Sequence, residues 1–189
     1  MKILCFGDSN TYGYDPRSFF GSQYGPEHRW VDILAGKLEC LAVNAGENGR
    51  EIPRREGELM RFELMMRNQK PLDYLLIMLG GNDLLQGNSV ETVANRMAQF
   101  LSHIEDENMK VILIGPPPMK PGAWITDERL LTDSVRLISA YETVAKNTGV
   151  SFIDTSHWDI DVTYDGVHYS EKGHRSFAEN LYQKLIEYR

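Results

Sequence analysis

Short runs of apolar residues recur along the chain and are separated by longer polar segments. The runs cover residues 2–7, 40–46, 73–80, 110–115 and 150–155. Within each run the apolar positions are continuous rather than alternating, which is typical of strands that are covered on both faces of a parallel sheet. The pattern therefore predicts five buried strands.

Most segments between these runs carry apolar residues at helical spacing. The clearest case is residues 89–107, where Val93, Met97 and Phe100 fall on one helical face. Helices are predicted over residues 30–39, 54–69, 89–107, 127–149 and 170–189. Gly149 is a suitable residue to end the fourth helix, because a glycine accepts the left-handed conformation of a C-cap.

The alternation of strands and helices predicts an α/β fold. We expect a three-layer α/β/α sandwich around a five-stranded, mostly parallel sheet, in a single domain spanning residues 1–189. The stretches with neither pattern follow the predicted strands, at residues 12–28, 45–53, 80–88, 115–125 and 155–169. Ligands of open parallel sheets bind outside the carboxyl ends of the strands, so these loops hold the candidate functional residues.

Composition and charge narrow the function classes. The formal net charge of −7 argues against a nucleic-acid partner, which requires a basic face. No apolar run approaches the ~20 residues of a membrane span, and no signal-peptide pattern is present, so we expect a cytoplasmic protein. Cys5 and Cys40 lack the spacing of a metal site or a disulfide framework and are expected to be buried, reduced thiols. No metal-ligand cluster or phosphate-binding loop is apparent, so we expect no metal and no cofactor.

Four polar motifs follow the predicted strands in order. They are "FGDSNTYG" at residues 6–13, "NAGENG" at 44–49, "GGND" at 80–83 and "DGVH" at 165–168. Each motif alone is common in turns. Together they bring a hydroxyl, a glycine amide, a carboxamide, a carboxylate and an imidazole to one edge of the sheet, and these are the groups that acyl transfer requires.

The chemistry assigns a role to each of these groups. A serine hydroxyl such as that of Ser9 is a weak nucleophile until a base removes its proton, and His168 is suited to that task at neutral pH. Asp165 lies three residues before His168 and can fix the histidine tautomer. The backbone N–H groups of Ser9 and Gly49 and the amide of Asn82 can converge on the oxyanion.

The four motifs together resemble the sequence blocks of the SGNH hydrolases, also called GDSL esterases and lipases. The resemblance runs over residues 3–174. The stretches "ILCFGDS", "HRWVDIL" and "VILIGPPP" are similar to the small arylesterase/acyltransferase branch. The resemblance implies a flavodoxin-like fold and the same roles for the serine, aspartate, histidine, glycine and asparagine named above.

Two alternatives to these assignments stay open. The second motif continues with Arg50 where the family usually has a small hydroxyl residue, which leaves Gly46 as the alternative to Gly49. His174 is an alternative base to His168, although it has no carboxylate three residues before it.

The substrate is expected to be a carboxylic ester with a short acyl group, such as an acetyl or aryl ester, cleaved through an acyl-serine intermediate. Candidate substrate-binding residues are Asn10, which replaces the usual leucine of the family, and Tyr12, Tyr14, Met119, Trp124 and Trp158. An acyltransferase, a carbohydrate deacetylase and a non-catalytic binding module remain alternatives. Residues 13–28 include Phe19 and Phe20 and are predicted to form a lid or a subunit contact, the latter in a homo-oligomer.

Overall fold

A parallel sheet forms the centre of the molecule. The computed structural model describes residues 1–19, 22–104 and 108–187. Its strands are β1 (Lys2–Gly7), β2 (Leu41–Gly46), β3 (Tyr74–Met78), β4 (Lys110–Ile114) and β5 (Ser151–Ile153). They lie in the order β2-β1-β3-β4-β5, and every neighbouring pair is parallel. The predicted five-stranded sheet is confirmed, and all of its strand pairs are parallel.

Helices follow the strands as the apolar spacing predicts. The helices are α1 (Ser9–Tyr12), α2 (Trp30–Leu38), α3 (Glu56–Gln69), α4 (Gly81–Leu85), α5 (Val90–Leu101), α6 (Glu128–Thr148) and α7 (Glu171–Glu187), with a 3₁₀ turn at Pro26–His28. Gly149 caps α6 with a φ of 75°. The helix predicted over residues 89–107 ends earlier, at Leu101, and its residues 105–107 lie outside the described part of the chain, as do residues 188–189 of the last helix.

The sheet is covered on both faces, so the predicted three-layer sandwich is confirmed. On one face, α3 and α5 contribute Phe62 and Phe100, whose ring centroids lie 4.8 Å apart beside Phe6 of β1. On the other face, Trp30 of α2 and Phe177 of α7 pack with centroids 5.0 Å apart. Burying an aromatic side chain of this size contributes about 3 kcal/mol at most, and several such contacts hold each layer on the sheet.

The strand order positions the functional motifs. The order 2-1-3-4-5 has its topological switch point between β1 and β3, where ligands of such sheets bind. Ser9 follows β1 and Asn82 follows β3, so the two residues lie on either side of this point. Gly46 at the end of β2 lets α1 pack closely, because a Cβ atom there would lie 2.0 Å from the Tyr12 nitrogen.

Cys5 and Cys40 are not joined by a disulfide, and Cys40 is only partly buried, so the expectation that both are buried is wrong for Cys40. Cys5 is buried in β1, and burial raises the pKa of its thiol well above the ordinary value. None of the helices in the described residues is both long and apolar enough to cross a bilayer. The described residues also contain no group of three or more side chains suited to hold a metal ion.

Candidate active site

Ser9 lies at the first position of α1, directly after β1. Asp8 precedes it and caps the helix, because its Oδ1 accepts the N–H of Asn10 at 2.9 Å. This tight turn holds Ser9 at the carboxyl edge of the sheet with 6% of its surface exposed. Burial raises the pKa of Asp8 to about 6, although the Asn10 N–H and the charges of His168 and Arg50 oppose the shift.

His168 and Asp165 lie next to Ser9 and form a continuous hydrogen-bonded chain with it. The Nε2 atom of His168 is 3.0 Å from Ser9 Oγ, and its Nδ1 atom is 2.7 Å from Asp165 Oδ2. The other carboxylate oxygen of Asp165 accepts the N–H groups of Val167 and His168, each at 2.9 Å. The side chains of Ser9, Asp165 and His168 are all buried.

The environment of Asp165 determines that its carboxyl group is ionised. Burial acts to raise the pKa of Asp165, but hydrogen bonds from His168 and from the Val167 N–H outweigh it and lower the pKa to about 2. The carboxylate is therefore ionised at neutral pH and accepts a hydrogen bond from the N–H at Nδ1 of His168. With the proton on Nδ1, the lone pair of Nε2 is directed at the Ser9 hydroxyl, which is the arrangement that a general base requires.

Asn82 lies in the first turn of α4 and lines the same cavity as Ser9. Its Nδ2 donates to the Arg50 carbonyl at 3.0 Å, which orients the carboxamide and leaves its second N–H available. Within the described residues, the backbone N–H of Ser9 and that of Gly49 have no acceptor. These are the donors that the sequence predicts for an oxyanion.

The two candidate glycines differ. Gly49 has a φ of 74° in the turn that the Arg50 N–H closes onto the Glu47 carbonyl at 3.2 Å, and it lines a separate depression rather than the cavity beside Ser9. The N–H of Gly46 donates to Asn44 Oδ1 at 3.0 Å, so Gly46 is not a free donor and the alternative assignment is wrong.

Arg50 has a positioning role that the sequence did not indicate. Its Nη1 donates to the Gly7 carbonyl at 2.8 Å and also to the Ala45 carbonyl, while its guanidinium lies 4.3 Å from the centre of the Phe6 ring. Its own carbonyl accepts the Asn82 amide. Arg50 thus ties the ends of β1 and β2 to the residue that follows β3.

The buried side chain of Asp83 holds the first turn of α4 in place through hydrogen bonds to other elements. Its carboxylate is fully buried and accepts the Ile52 N–H at 3.0 Å and Arg96 Nη1 at 2.8 Å. Burial raises the pKa of Asp83, and both of these partners oppose the shift. The buried pair therefore holds the Asn82 turn against α5 and against the loop after β2.

Replacing Asp83 by alanine is expected to destabilise the protein by about 3 kcal/mol, because Arg96 and the Ile52 N–H lose a buried partner. Urea denaturation of both proteins measures this difference. The control is Glu142→Ala, which removes an exposed ion pair to Lys146 and should change the stability little. Equal stability of the Asp83 variant and wild type would show that the pair is not an anchor.

A small cavity lies beside Ser9. Its volume is about 30 Å³, which is room for two or three water molecules, since 10–15 Å³ of such space holds one. Its apolar wall includes Met78, Leu84, Pro117, Met119, Leu137 and Tyr169. Met119, a candidate substrate-binding residue, therefore lines the cavity beside Ser9.

The aromatic candidates separate into two groups. Tyr14 and Trp124 flank His168, with ring centroids 4.8 and 5.1 Å from that of the imidazole, and Trp124 is 53% exposed. Trp158 instead packs on Phe177 at 5.3 Å, in the apolar layer between the sheet and α7. Tyr12 does not line the cavity either. The placement of Tyr12 and Trp158 in a substrate pocket is therefore not supported.

Asn10 lines the cavity, but its carboxamide binds the backbone of the histidine loop. The Nδ2 atom donates to the Val167 carbonyl at 3.1 Å, and Oδ1 accepts the Tyr169 N–H at 2.9 Å. Both polar atoms of this candidate substrate-binding residue are therefore engaged by the histidine loop.

His174 is not placed to act as the base. It is fully buried in α7, where its Nδ1 lies 3.4 Å from the Trp30 N–H and its ring contacts Tyr24 and Tyr169. Burial lowers the pKa of His174 to about 3, so the imidazole is neutral. Ser9 is hydrogen-bonded to His168 instead, and the alternative assignment is wrong.

Within the segment 13–28, the described residues fold back on themselves, and Tyr14 lies beside His168. A bridge joins Tyr14 to Gln23, and the Tyr24 N–H donates to the Gly13 carbonyl at 2.8 Å. Phe19 is 94% exposed, whereas Phe20 lies outside the described residues. The role of this segment as a lid or subunit contact stays a prediction.

Comparisons with known proteins agree with the sequence motifs. Residues 5–176 match the GDSL-like lipase/acylhydrolase family. By class the protein is a carboxylic ester hydrolase. The match covers most of the chain, so the chain belongs to that family, and the predicted resemblance is confirmed. No curated protein shows significant similarity to the chain.

Solved structures share the fold over almost the entire chain. A proposed arylesterase from Agrobacterium tumefaciens is 26% identical, with a TM-score of 0.85 and a match that covers 98% of each chain. An aryl esterase from M. smegmatis is 23% identical, with a TM-score of 0.85 and the same coverage. A carbohydrate acetylesterase from Sinorhizobium meliloti is 22% identical, with a TM-score of 0.83, covering 100% of this chain and 99% of that chain. The last two similarities show the fold alone.

Proposed function

We propose that the protein is a serine esterase that hydrolyses short-acyl carboxylic esters through an acyl-serine intermediate. The observation that carries the proposal is the unbroken chain of buried groups from Asp165 through His168 to Ser9, with contacts of 2.7 and 3.0 Å. A non-catalytic binding module has no need for this arrangement, because a binding groove does not require a base directed at a hydroxyl.

The first half of the reaction forms the acyl-enzyme. Nε2 of His168 takes the proton of Ser9 as Oγ forms a bond to the ester carbonyl carbon, and the carbonyl electron pair moves onto its oxygen. When the tetrahedral intermediate collapses, the C–O bond to the alcohol breaks. The imidazolium of His168, stabilised by Asp165, gives its proton to the departing alcohol.

The second half releases the acid. A water molecule enters where the alcohol left and gives a proton to Nε2 of His168 as its oxygen attacks the acyl carbon. The bond to Ser9 then breaks and Oγ recovers its proton. The acyl acceptor is thus water in hydrolysis, and an alcohol in the same position would give acyl transfer.

The oxyanion donors we propose are the N–H of Ser9, the free N–H of Asn82 and, from the family resemblance, the N–H of Gly49. The bond from Asn82 to the Arg50 carbonyl supports its role, since an oriented donor needs no reorganisation when charge develops on the substrate oxygen.

Asn82→Ala is expected to lower kcat by about 10²–10³-fold with a much smaller change in KM, because the contact strengthens in the transition state. Steady-state kinetics with p-nitrophenyl acetate measure both constants. The matched control, Asn147→Ala on the exposed face of α6, should keep both constants. A change confined to KM would reassign Asn82 to substrate binding.

The size of the cavity supports an acetyl group as the acyl part of the substrate. A space of about 30 Å³, room for two or three water-sized groups, suits a short acyl group better than a long acyl chain. The alcohol part lies toward the open side, where Trp124 is half exposed beside His168. Aryl alcohols and sugars both have flat faces that suit an aromatic wall, in line with the aryl and carbohydrate esters cleaved by the similar structures.

A series of p-nitrophenyl esters tests this proposal. Each of the four added methylenes that does not fit costs about 1 kcal/mol or more, so kcat/KM should fall at least about 10³-fold from acetate to hexanoate. A flat profile would contradict the short-acyl assignment. Acetyl ester formed in preference to acetate at a millimolar alcohol concentration in water would identify the protein as an acyltransferase.

A further inference from the structure

One side chain connects the nucleophile turn directly to the loop that carries His168. Asn10 follows Ser9 in α1, and its carboxamide reaches residues 167 and 169, far along the chain. Its Nδ2 donates to the Val167 carbonyl at 3.1 Å, while Oδ1 accepts the Tyr169 N–H at 2.9 Å. The two bonds lie on either side of His168, so the carboxamide spans the residue that carries the base.

Asn10 is itself held firmly. Its N–H donates to Asp8 Oδ1 at 2.9 Å, and its carbonyl accepts the indole N–H of Trp30 at 2.9 Å. Trp30 is 1% exposed in α2. The main chain of Asn10 is therefore fixed to both the serine turn and the core, and its side chain transmits that position to the histidine loop.

Three backbone hydrogen bonds of the histidine loop connect it to itself or to the segment after β4. The Gly166 carbonyl accepts the Lys120 N–H at 3.0 Å, and the Asp165 carbonyl accepts the Trp124 N–H at 3.0 Å. The His168 carbonyl accepts the Thr163 N–H at 2.8 Å within the loop. These three bonds shape the loop and hold it to the segment after β4, and none of them reaches the turn that carries Ser9.

We propose that Asn10 is a positioning residue that sets the distance between the His168 imidazole and the Ser9 hydroxyl, an inference that rests on the proposed function. Asp165 sets the orientation and tautomer of the ring, whereas Asn10 sets where the backbone of His168 stands relative to Ser9. A displacement of about 1 Å between reacting groups lowers a rate by about 10²-fold, so this single carboxamide has a large effect on proton transfer.

The test compares Asn10→Leu with Asn10→Asp. Leucine keeps a similar volume and removes both hydrogen bonds. Aspartate keeps the shape and the acceptor for the Tyr169 N–H but replaces the donor to the Val167 carbonyl by a carboxylate oxygen. The matched control is Asn180→Leu, which removes a 3.0 Å bond from a half-buried asparagine to the Ser176 carbonyl within α7.

Two rates and one stability measurement are needed for each protein. The rates are kcat for p-nitrophenyl acetate and the second-order rate constant for inactivation by a diethyl phosphate ester such as paraoxon, which depends on the same activation of the Ser9 hydroxyl by His168. Thermal melting reports stability, and the kinetics are measured well below the melting temperature.

We expect both Asn10 variants to lose about 10²-fold in kcat and in the inactivation rate constant, with KM within about threefold of wild type. Asn180→Leu should keep both rates even if it melts earlier. Wild-type rates in a folded Asn10→Leu or Asn10→Asp protein would overturn the proposal, as would a variant that differs only in melting temperature. If the wild type itself is not inactivated at Ser9, the proposed function fails instead.

Discussion

Replacing Ser9 by alanine is expected to lower kcat for p-nitrophenyl acetate by about 10⁴-fold or more. The substitution removes a single oxygen atom, the one that lies 3.0 Å from His168 Nε2 and that we propose attacks the ester carbonyl. Without it no acyl-enzyme forms, and only the slow attack of water assisted by the remaining groups is left.

The fold should tolerate this substitution. Ser9 contributes a small side chain to a helical turn that Asp8 caps, so the melting temperature is expected to stay within about 4 °C of wild type, the shift that corresponds to about 1 kcal/mol or less. Ser102→Ala is the control, since it removes an exposed hydroxyl that donates to the Gln99 carbonyl at the end of α5. Activity above a tenth of wild type in the Ser9 variant would remove Ser9 as the nucleophile.

Asp165→Asn is expected to reduce kcat by about 10⁴-fold although the two side chains have nearly the same shape. Oδ1 of Asp165 accepts two backbone N–H groups, from Val167 and His168, so the oxygen of an asparagine would occupy that position. Its NH₂ group would then face His168 Nδ1. The imidazole would be driven to carry its proton on Nε2, which can no longer accept the proton of Ser9.

The kinetics of this variant are compared with those of Asp159→Asn. The Asp159 side chain is exposed and pairs with Lys120 at 2.8 Å, and its loss should leave kcat unchanged. The low pKa of Asp165, about 2, adds a pH criterion. In the wild type this carboxylate stays ionised down to about pH 3, so its protonation should not limit activity between pH 5 and 9. A loss of less than tenfold in Asp165→Asn would show that the carboxylate does not set the tautomer.

The sheet and its long helices could be predicted because the pattern of apolar residues in each segment reflects how that segment is buried. Continuous apolar runs such as residues 73–80 occur where a strand is covered on both faces, and α5 repeats its apolar residues at the helical period. The helices α1 and α4 were missed because a helix of one turn has no periodicity to detect. Their only local signals are capping residues, such as Asp8, which turns use as freely.

The site was predictable to the extent that topology determines it. Parallel strands end at one edge of a sheet, so Ser9 and Asn82 had to lie near each other, and the spacing of Asp165 and His168 allows the hydrogen bond that is found. Loops have no such constraint. Trp158 follows β5 by only a few residues, but its loop turns the ring into the layer beneath α7 rather than toward Ser9.

Contacts between segments distant in the sequence could not be predicted from the residue pattern. Nothing in the spacing of residues indicates that the Asn10 carboxamide meets the backbone on both sides of His168, or that Arg50 reaches the carbonyl of Gly7. Both side chains replace residues that are more usual in the family. The structure gives each of them hydrogen bonds to the backbone of the serine turn or the histidine loop.

Peptide mapping by mass spectrometry after reaction with paraoxon tests the central claim most directly, because it identifies the nucleophile without requiring the natural substrate. We predict one diethyl phosphate group per chain, located on Ser9, and no label on the Ser9→Ala variant. Label on another residue, or an unlabelled wild-type protein after complete mapping of the chain, would contradict the assignment of Ser9 as the nucleophile.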